Sequence, residues 1–201
     1  MAQLSAMAMD ITKHDSDREN YGKEFHELRD TALKISREKF NGINLFRDKS
    51  YSLVNKNGAI NWTDSKAEVD ALNASDSQSD HYLATITSEL EQAEIAFQIG
   101  EVGINAWLGG NDVASEGDWR WTEGPEGKAN SGLGTSFWTG THSSGTLSPG
   151  MFETWANNQP DNALWAGAGG EDYLQIAQGT NPPGTWNDLP DTKSANARNQ
   201  P

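Results

Sequence analysis

The sequence predicts an α+β protein in which a helical N-terminal segment precedes a loop-rich domain with antiparallel sheets. Two observations favour this fold class. Residues 1–46 carry apolar residues at helical spacing, whereas the rest of the chain alternates short strand and helix patterns. The 20 glycines among 201 residues also fit loop-rich antiparallel architecture better than a helical bundle.

The first element is a pair of helices within residues 1–46. Leu4, Ala8 and Ile11 form a short apolar stripe, and Ser16 with Glu19 forms a capping box that starts the second helix. The apolar residues of this second helix step by four, three, four and three positions: Tyr21, Phe25, Leu28, Ala32 and Ile35. Such a heptad seam predicts a helix that packs against a partner helix.

The following elements alternate between strand and helix. Residues 50–54 alternate as a strand, and Asn57-Gly58 marks a turn. Residues 62–72 form an amphipathic helix pattern whose predicted buried members are Trp62, Ala67, Val69 and Leu72. Residues 81–86 predict another strand, and Ser88 with Glu91 caps a helix that continues to about residue 99.

The remaining elements surround a long polar excursion. Strands are predicted at 106–112 and 119–121, with Trp107, Trp119 and Trp121 in the core. Residues 124–150 are rich in Gly, Ser and Thr, which predicts a surface loop that tunes ligand choice. Phe152 and Trp155 return the chain to the core. The last predicted strands lie at 174–176 and from residue 184.

Composition excludes several classes of partner. The formal net charge of −14 argues against nucleic acid or an anionic membrane, because either needs a basic face. No apolar run is long enough for a membrane span, and no cleavable signal peptide is visible. The absence of Cys means that packing alone holds the fold, and it does not identify the compartment.

Oxygen-bearing side chains concentrate between residues 157 and 188. Three motifs follow one another there: Gln159-Pro160-Asp161, Glu171-Asp172 and Trp186-Asn187-Asp188. Hard divalent cations take several carboxylate and carboxamide oxygens, and crowded carboxylates repel one another without a cation. With no Cys in the chain and no His in this window, zinc or copper is disfavoured. The predicted cofactor is therefore Ca²⁺.

These three motifs, in this order, resemble the sugar-binding half of a C-type lectin domain. The resemblance implies a C-type lectin-like fold over residues 47–201, with two helices, antiparallel sheets and long loops. It also implies a cis Pro160. The implied calcium ligands are Gln159, Asp161, Glu171, Asn187 and Asp188. A second, auxiliary calcium would draw on Asn162, Glu171 and Asp172.

The resemblance also implies a chemistry of recognition. Two neighbouring sugar hydroxyls coordinate the ion while its ligands hydrogen-bond the same hydroxyls, so the implied sugar-binding residues are Gln159, Asp161, Trp165, Glu171 and Asn187. The Gln-Pro-Asp triplet resembles the galactose-type members. Trp165 is either a stacking platform for the sugar or a loop anchor. In the alternative without calcium, Trp186 and Leu189 fill a core while Asn187 and Asp188 cap a turn.

In the N-terminal segment, residues 1–46, Asp17-Arg18, Glu24 and Leu28 lead to an ending Phe-Asn-Gly-x-x-Leu at residues 40–45. This series resembles the filament-core segment of bacterial flagellin. The resemblance implies other flagellin subunits as partners and an extracellular location on a bacterial flagellum. The polar end from residue 195 departs from the lectin pattern, which predicts a fragment that lacks the last strand of the domain and leaves one sheet edge open.

Three function classes follow. The leading one is a secreted, calcium-dependent glycan-binding module for adhesion; the others are a structural domain of the filament surface and a protein-binding lectin-like module. An enzyme is disfavoured because the four His are scattered and neither a His-Glu-x-x-His motif nor a nucleophile elbow is present. Glu171 and Asp172 are also a poor glycosidase pair, because neighbouring residues on a strand point to opposite faces.

Overall fold

A computed structural model of the chain describes residue 7 and residues 14–36, 39–40, 43–44, 49–54, 59–76, 80–164 and 170–192. The chain divides into two compact units, Met1–Ser50 and Tyr51–Pro201. Mixed helices and an antiparallel sheet confirm the α+β class predicted from the sequence. Among the described helices, none has both the length and the apolar character needed to cross a membrane.

The first unit contains helix α1, Asp15–Ser36, and a small antiparallel hairpin of β1, Lys39–Phe40, and β2, Ile43–Asn44. The backbone N–H groups of Asp17 and Arg18 both donate to the carbonyl of His14. His14 therefore takes the capping position, and the predicted cap at Ser16 is wrong. The predicted first helix at 4–11 lies outside the described residues.

The second unit is built on a six-stranded sheet in the order β6-β5-β4-β3-β7-β8, with every neighbouring pair antiparallel. Its strands are β3 Ala106–Asn111, β4 Asp118–Trp121, β5 Thr135–Thr139, β6 Thr146–Leu147, β7 Tyr173–Ala177 and β8 Thr185–Leu189. Four of these strands match predicted segments. Strand β3 is central in the sheet, with β4 on one side and β7 on the other.

Two helices of ordinary length accompany the sheet. Helix α2, Trp62–Ser75, is capped by Asn61, and helix α3, Glu89–Val102, is capped by Ser88, whose side chain accepts the N–H of Glu91. The cap at Ser88 is the predicted one. Two single-turn segments follow strand β4, α4 at Gly124–Gly127 and α5 at Ala129–Gly132.

The core of the second unit is dominated by aromatic rings on the sheet. The predicted core residues Trp107, Trp119 and Trp121 are all buried. Trp121 stacks on Phe137 with ring centroids 4.6 Å apart and meets Trp186 edge-on at 5.5 Å. Because aromatic pairs add to the gain from burial, these contacts tie β4, β5 and β8 together.

Two segments predicted as strands, residues 50–54 and 81–86, are not strands in the structure. Residues 51–54 run along helix α3 and are held by side chains: the Tyr51 hydroxyl donates to Glu91 at 2.7 Å, and the Tyr51 carbonyl accepts from Gln98 at 3.2 Å. Residues 81–86 form no strand either, although Gly109 donates to the Ala84 carbonyl at 2.8 Å. The alternation of apolar and polar residues predicts an extended backbone, but it does not show whether that backbone pairs with a neighbouring strand.

The buried residues of helix α2 also differ from those predicted. Trp62 is buried and Val69 is half-buried, whereas Ala67 and Leu72 are exposed. The contacts of the helix beyond Trp62 include polar ones, such as those from Lys66 to Asp70 and Glu123. Ala67 and Leu72 were therefore wrong as core residues.

The excursion at residues 124–150 is not a simple surface loop. It contains both single-turn segments and the strands β5 and β6, and it contributes Phe137, which is fully buried. The segment Thr-Ser-Phe-Trp-Thr carries a strand pattern that its Gly- and Ser-rich flanks obscured. The prediction of a loop over the whole range was therefore wrong.

Truncation of the stacked ring at position 121 tests this core. We expect Trp121→Ala to lower the free energy of unfolding by about 3–5 kcal/mol, since the cavity cannot collapse between Phe137 and Trp186. Leu133→Ala, at a side chain that is 66% exposed, should change it by less than about 0.5 kcal/mol. Urea unfolding followed by tryptophan fluorescence measures both; equal effects would contradict this packing.

Candidate metal site

A turn and a strand meet at Asp188. The carboxylate of Asp188, on β8, accepts the backbone N–H of Asn162 at 2.8 Å and that of Asp161 at 3.3 Å. Asp188 is fully buried. These bonds hold the Gln-Pro-Asp turn against the strand, so the first and last predicted motifs come together although they are far apart in sequence.

A second pair of bonds adds the middle motif. The Glu171 carboxylate accepts the N–H of Ala163 at 2.9 Å, and the Glu171 N–H donates to the side-chain oxygen of Asn162 at 2.8 Å. Gly170 makes this approach possible: its φ is +129°, and a Cβ there would lie 2.6 Å from that same Asn162 oxygen. Asn162 therefore bonds to both Glu171 and Asp188, which braces the end of the Gln-Pro-Asp turn.

The result is a group of three carboxylates. Asp161, Glu171 and Asp188 each offer one oxygen, and these oxygens all lie within 4.8 Å of one another. Glu171 and Asp188 are buried while Asp161 is exposed. Since calcium binds oxygens at about 2.3–2.6 Å, oxygens so close together fit ligands of one ion. Without a cation, the same three charges repel one another.

The repulsion and the burial both act on Asp188. The pKa of Asp188 is raised to about 6, mainly by burial and also by the charge of Asp161, while backbone N–H donors such as that of Asn162 oppose the shift. A carboxylate that resists ionisation in this way gains most from a bound cation.

Gln159 supplies an independent indication of a ligand. Its side-chain oxygen is buried and has no hydrogen-bond partner within the described part of the chain. Buried polar atoms are otherwise almost always paired, so this oxygen is suited to a metal ion. The peptide bond from Gln159 to Pro160 is cis, as the resemblance implied.

Asn187 and Trp165 are less well defined. Asn187 precedes Asp188 on β8 and is half-buried. Since neighbouring side chains on a strand point to opposite faces, its role as a ligand stays a prediction. Trp165 lies outside the described residues.

Two further acids in the neighbourhood, Asp112 and Glu116, were missed in the sequence. Asp112 is 2% exposed, and burial raises its pKa to about 7, with the charges of Glu116, Asp172 and Asp188 contributing. One Asp112 oxygen accepts the N–H of Gly117, and the other has no partner among the described residues. The Asp112 N–H also donates to the Asp172 carbonyl at 3.2 Å.

The charges of Asp112 and Glu116 act in the neighbourhood of Asp172, a residue predicted for an auxiliary calcium, and that auxiliary site stays a prediction. Of its predicted residues, Asn162 is the brace described above, and Asp172 is coupled by charge to Asp112 and Glu116. Asp112 directly follows strand β3 and Glu116 comes four residues later, but no local pattern indicated that either residue lies near Asp172.

Comparison with known proteins gives one relative and several similar structures. No family model matches the chain. The curated relative is Halomucin of Haloquadratum walsbyi, which is 38% identical over 128 residues, or 64% of this chain. The chain spans about 1% of the length of that relative.

The solved structures similar to this chain include C-type lectin domains. The carbohydrate-recognition domain of the human scavenger receptor C-type lectin has a TM-score of 0.46 at 21% identity, covering 71% of this chain and 85% of that one. C-type lectin CEL-I from Cucumaria echinata has a TM-score of 0.45 at 22% identity, covering 76% and 94%. Any function of this chain therefore rests on its own residues.

The pH dependence of stability tests the two raised pKa values. Asp112 and Asp188 have folded pKa values of about 7 and about 6, above the ordinary value of 3.8. The calcium-free fold therefore binds protons more tightly than the unfolded chain, and the stabilisation by protonation is lost as pH rises through these values. In chelator, the melting temperature of the wild type should fall more steeply from about pH 5 to about pH 8 than that of the Asp112→Asn/Asp188→Asn variant. Parallel curves from calorimetric scans would contradict the assignment.

Proposed function

We propose that the second unit is a calcium-dependent carbohydrate-binding module of the galactose type. The observation that supports it is the group formed by Asp161, Glu171 and Asp188, whose oxygens lie within 4.8 Å of one another. The buried, unpaired oxygen of Gln159 adds a fourth donor of the same chemical kind. Oxygen donors of this number and type suit calcium better than zinc or copper.

The residues of the site would have different roles in binding the ion and the sugar. Gln159, Asp161, Glu171 and Asp188, with Asn187, would hold the ion. Bound calcium would supply open coordination positions to two neighbouring sugar hydroxyls. The acid and amide ligands would accept from and donate to the same hydroxyls, and Trp165 is the proposed stacking platform.

We propose further that residues 1–46 attach this module to a bacterial flagellar filament, outside the cell, for adhesion. On α1, Leu28 and Ile35 of the heptad seam are 43% and 52% exposed. Apolar side chains at this spacing suit a partner helix of another flagellin subunit. A single monosaccharide site binds weakly, and its repetition along a filament would supply avidity.

A calcium titration with paired variants tests the proposal. Glu171→Gln removes one buried ligand charge, so we expect calcium affinity to fall about 100-fold or more. Glu101→Gln makes the same chemical change on an exposed residue of α3 and should leave the affinity within about twofold. Isothermal calorimetry measures both, and a glycan array with and without chelator follows.

The outcomes separate the candidate functions. Calcium-dependent binding of galactose-terminated glycans that is lost in Glu171→Gln supports the proposal. Calcium uptake without any glycan binding would favour a structural role on the filament surface. Glycan binding that survives both chelator and Glu171→Gln would contradict the metal-dependent mechanism.

A further inference from the structure

The hairpin of β5 and β6 touches the metal site through its turn, residues 140–145, with the sequence Gly-Thr-His-Ser-Ser-Gly. The backbone N–H of His142 donates to the carbonyl of Pro160 at 2.8 Å. Pro160 joins the two proposed ligands Gln159 and Asp161. The hairpin turn is therefore fixed directly beside the proposed calcium ligands, although it lies in a different part of the sheet.

The hairpin turn is held in place at both of its ends. The N–H of Gly140 donates to the Gly117 carbonyl at 2.7 Å, and the indole N–H of Trp138 donates to the Gly140 carbonyl at 2.8 Å. At the other end, a Cβ on Gly145 would collide with the Trp138 ring, so a glycine is required there. A turn that is already ordered loses little entropy when a ligand binds.

The exposed groups of the hairpin turn are hydroxyls and an imidazole, which form hydrogen bonds. His142, Ser143 and Ser144 are exposed, and Thr141 is half-buried. The Thr141 hydroxyl lies 3.3 Å from that of Ser143 and 3.4 Å from that of Ser144. Hydroxyls and an imidazole can each donate or accept, which matches the many hydroxyls of a sugar.

The charge of the surroundings narrows the ligand class. Asp161 is exposed next to the hairpin turn, and the chain has a formal net charge of −14. An acidic sugar would be repelled by this field, whereas a neutral sugar would not. The hairpin turn itself offers no Lys or Arg to counter that repulsion.

We propose that the hairpin turn binds the second sugar unit of a neutral oligosaccharide whose terminal galactose occupies the calcium site, with His142 as the specificity-determining residue. This inference rests on the proposed function. The role is assigned to the exposed imidazole of His142 because the backbone N–H of this residue is the group of the turn that donates to Pro160. The imidazole therefore sets which linkage to the second sugar unit is accepted.

A comparison of oligosaccharide and monosaccharide affinities tests the inference. In calcium, we expect His142→Ala to bind galactose within about twofold of the wild type but galactose-terminated di- and trisaccharides about threefold to tenfold more weakly, the contribution of one net hydrogen bond. His81→Ala, which removes a partly exposed imidazole from another loop, should change neither affinity. Calorimetry with a panel of neutral saccharides measures all three proteins.

The results distinguish this inference from the function on which it rests. A selective loss of oligosaccharide affinity in His142→Ala, with calcium affinity unchanged, supports it. If the wild type prefers oligosaccharides and His142→Ala keeps the full preference, the inference is wrong while the proposed function stands. If the wild type takes up calcium but binds no saccharide, the proposed function and the inference both fail.

Discussion

The mutual repulsion of three carboxylates is the constraint around which this part of the chain is built. Asp188 is fully buried at the end of β8 and accepts two backbone N–H groups from the turn that carries Asp161. The Glu171 carboxylate accepts the N–H of Ala163, and the Glu171 N–H donates to the side-chain oxygen of Asn162. Backbone donors thus stabilise negative charge that the neighbouring charges oppose. The arrangement is favourable as a whole when a cation completes it.

The aromatic core keeps these elements in position. Trp186 is fully buried two residues before Asp188, and its indole N–H donates to Gln92 on α3 at 2.9 Å. The backbone of Trp186 donates to Thr154 and accepts from Ala156, so the chain that enters the Gln-Pro-Asp turn is bonded to β8 just before the site. The packing that stabilises the sheet therefore also sets the distance between Asp161 and Asp188.

Sequence motifs predicted the chemistry of the site better than its surroundings. The resemblance of three ordered motifs to a C-type lectin domain implied that Asp161, Glu171 and Asp188 ligate one ion, and their oxygens do lie within 4.8 Å of one another. Asp112 was missed, since its approach to Asp172 depends on the pairing of β3 with β7, which no local pattern reveals. The strand β5 was missed for a similar reason, because glycines and serines on both sides of Phe137 concealed it. Local propensity predicts elements, whereas long-range pairing decides which residues become neighbours.

The most direct measurement is anomalous X-ray diffraction from crystals of the full chain grown with calcium. We expect an anomalous peak with oxygens of Asp161, Glu171 and Asp188 all at about 2.3–2.6 Å from it. A calcium ion bound elsewhere, or three carboxylates that turn apart with no ion between them, would contradict the central claim.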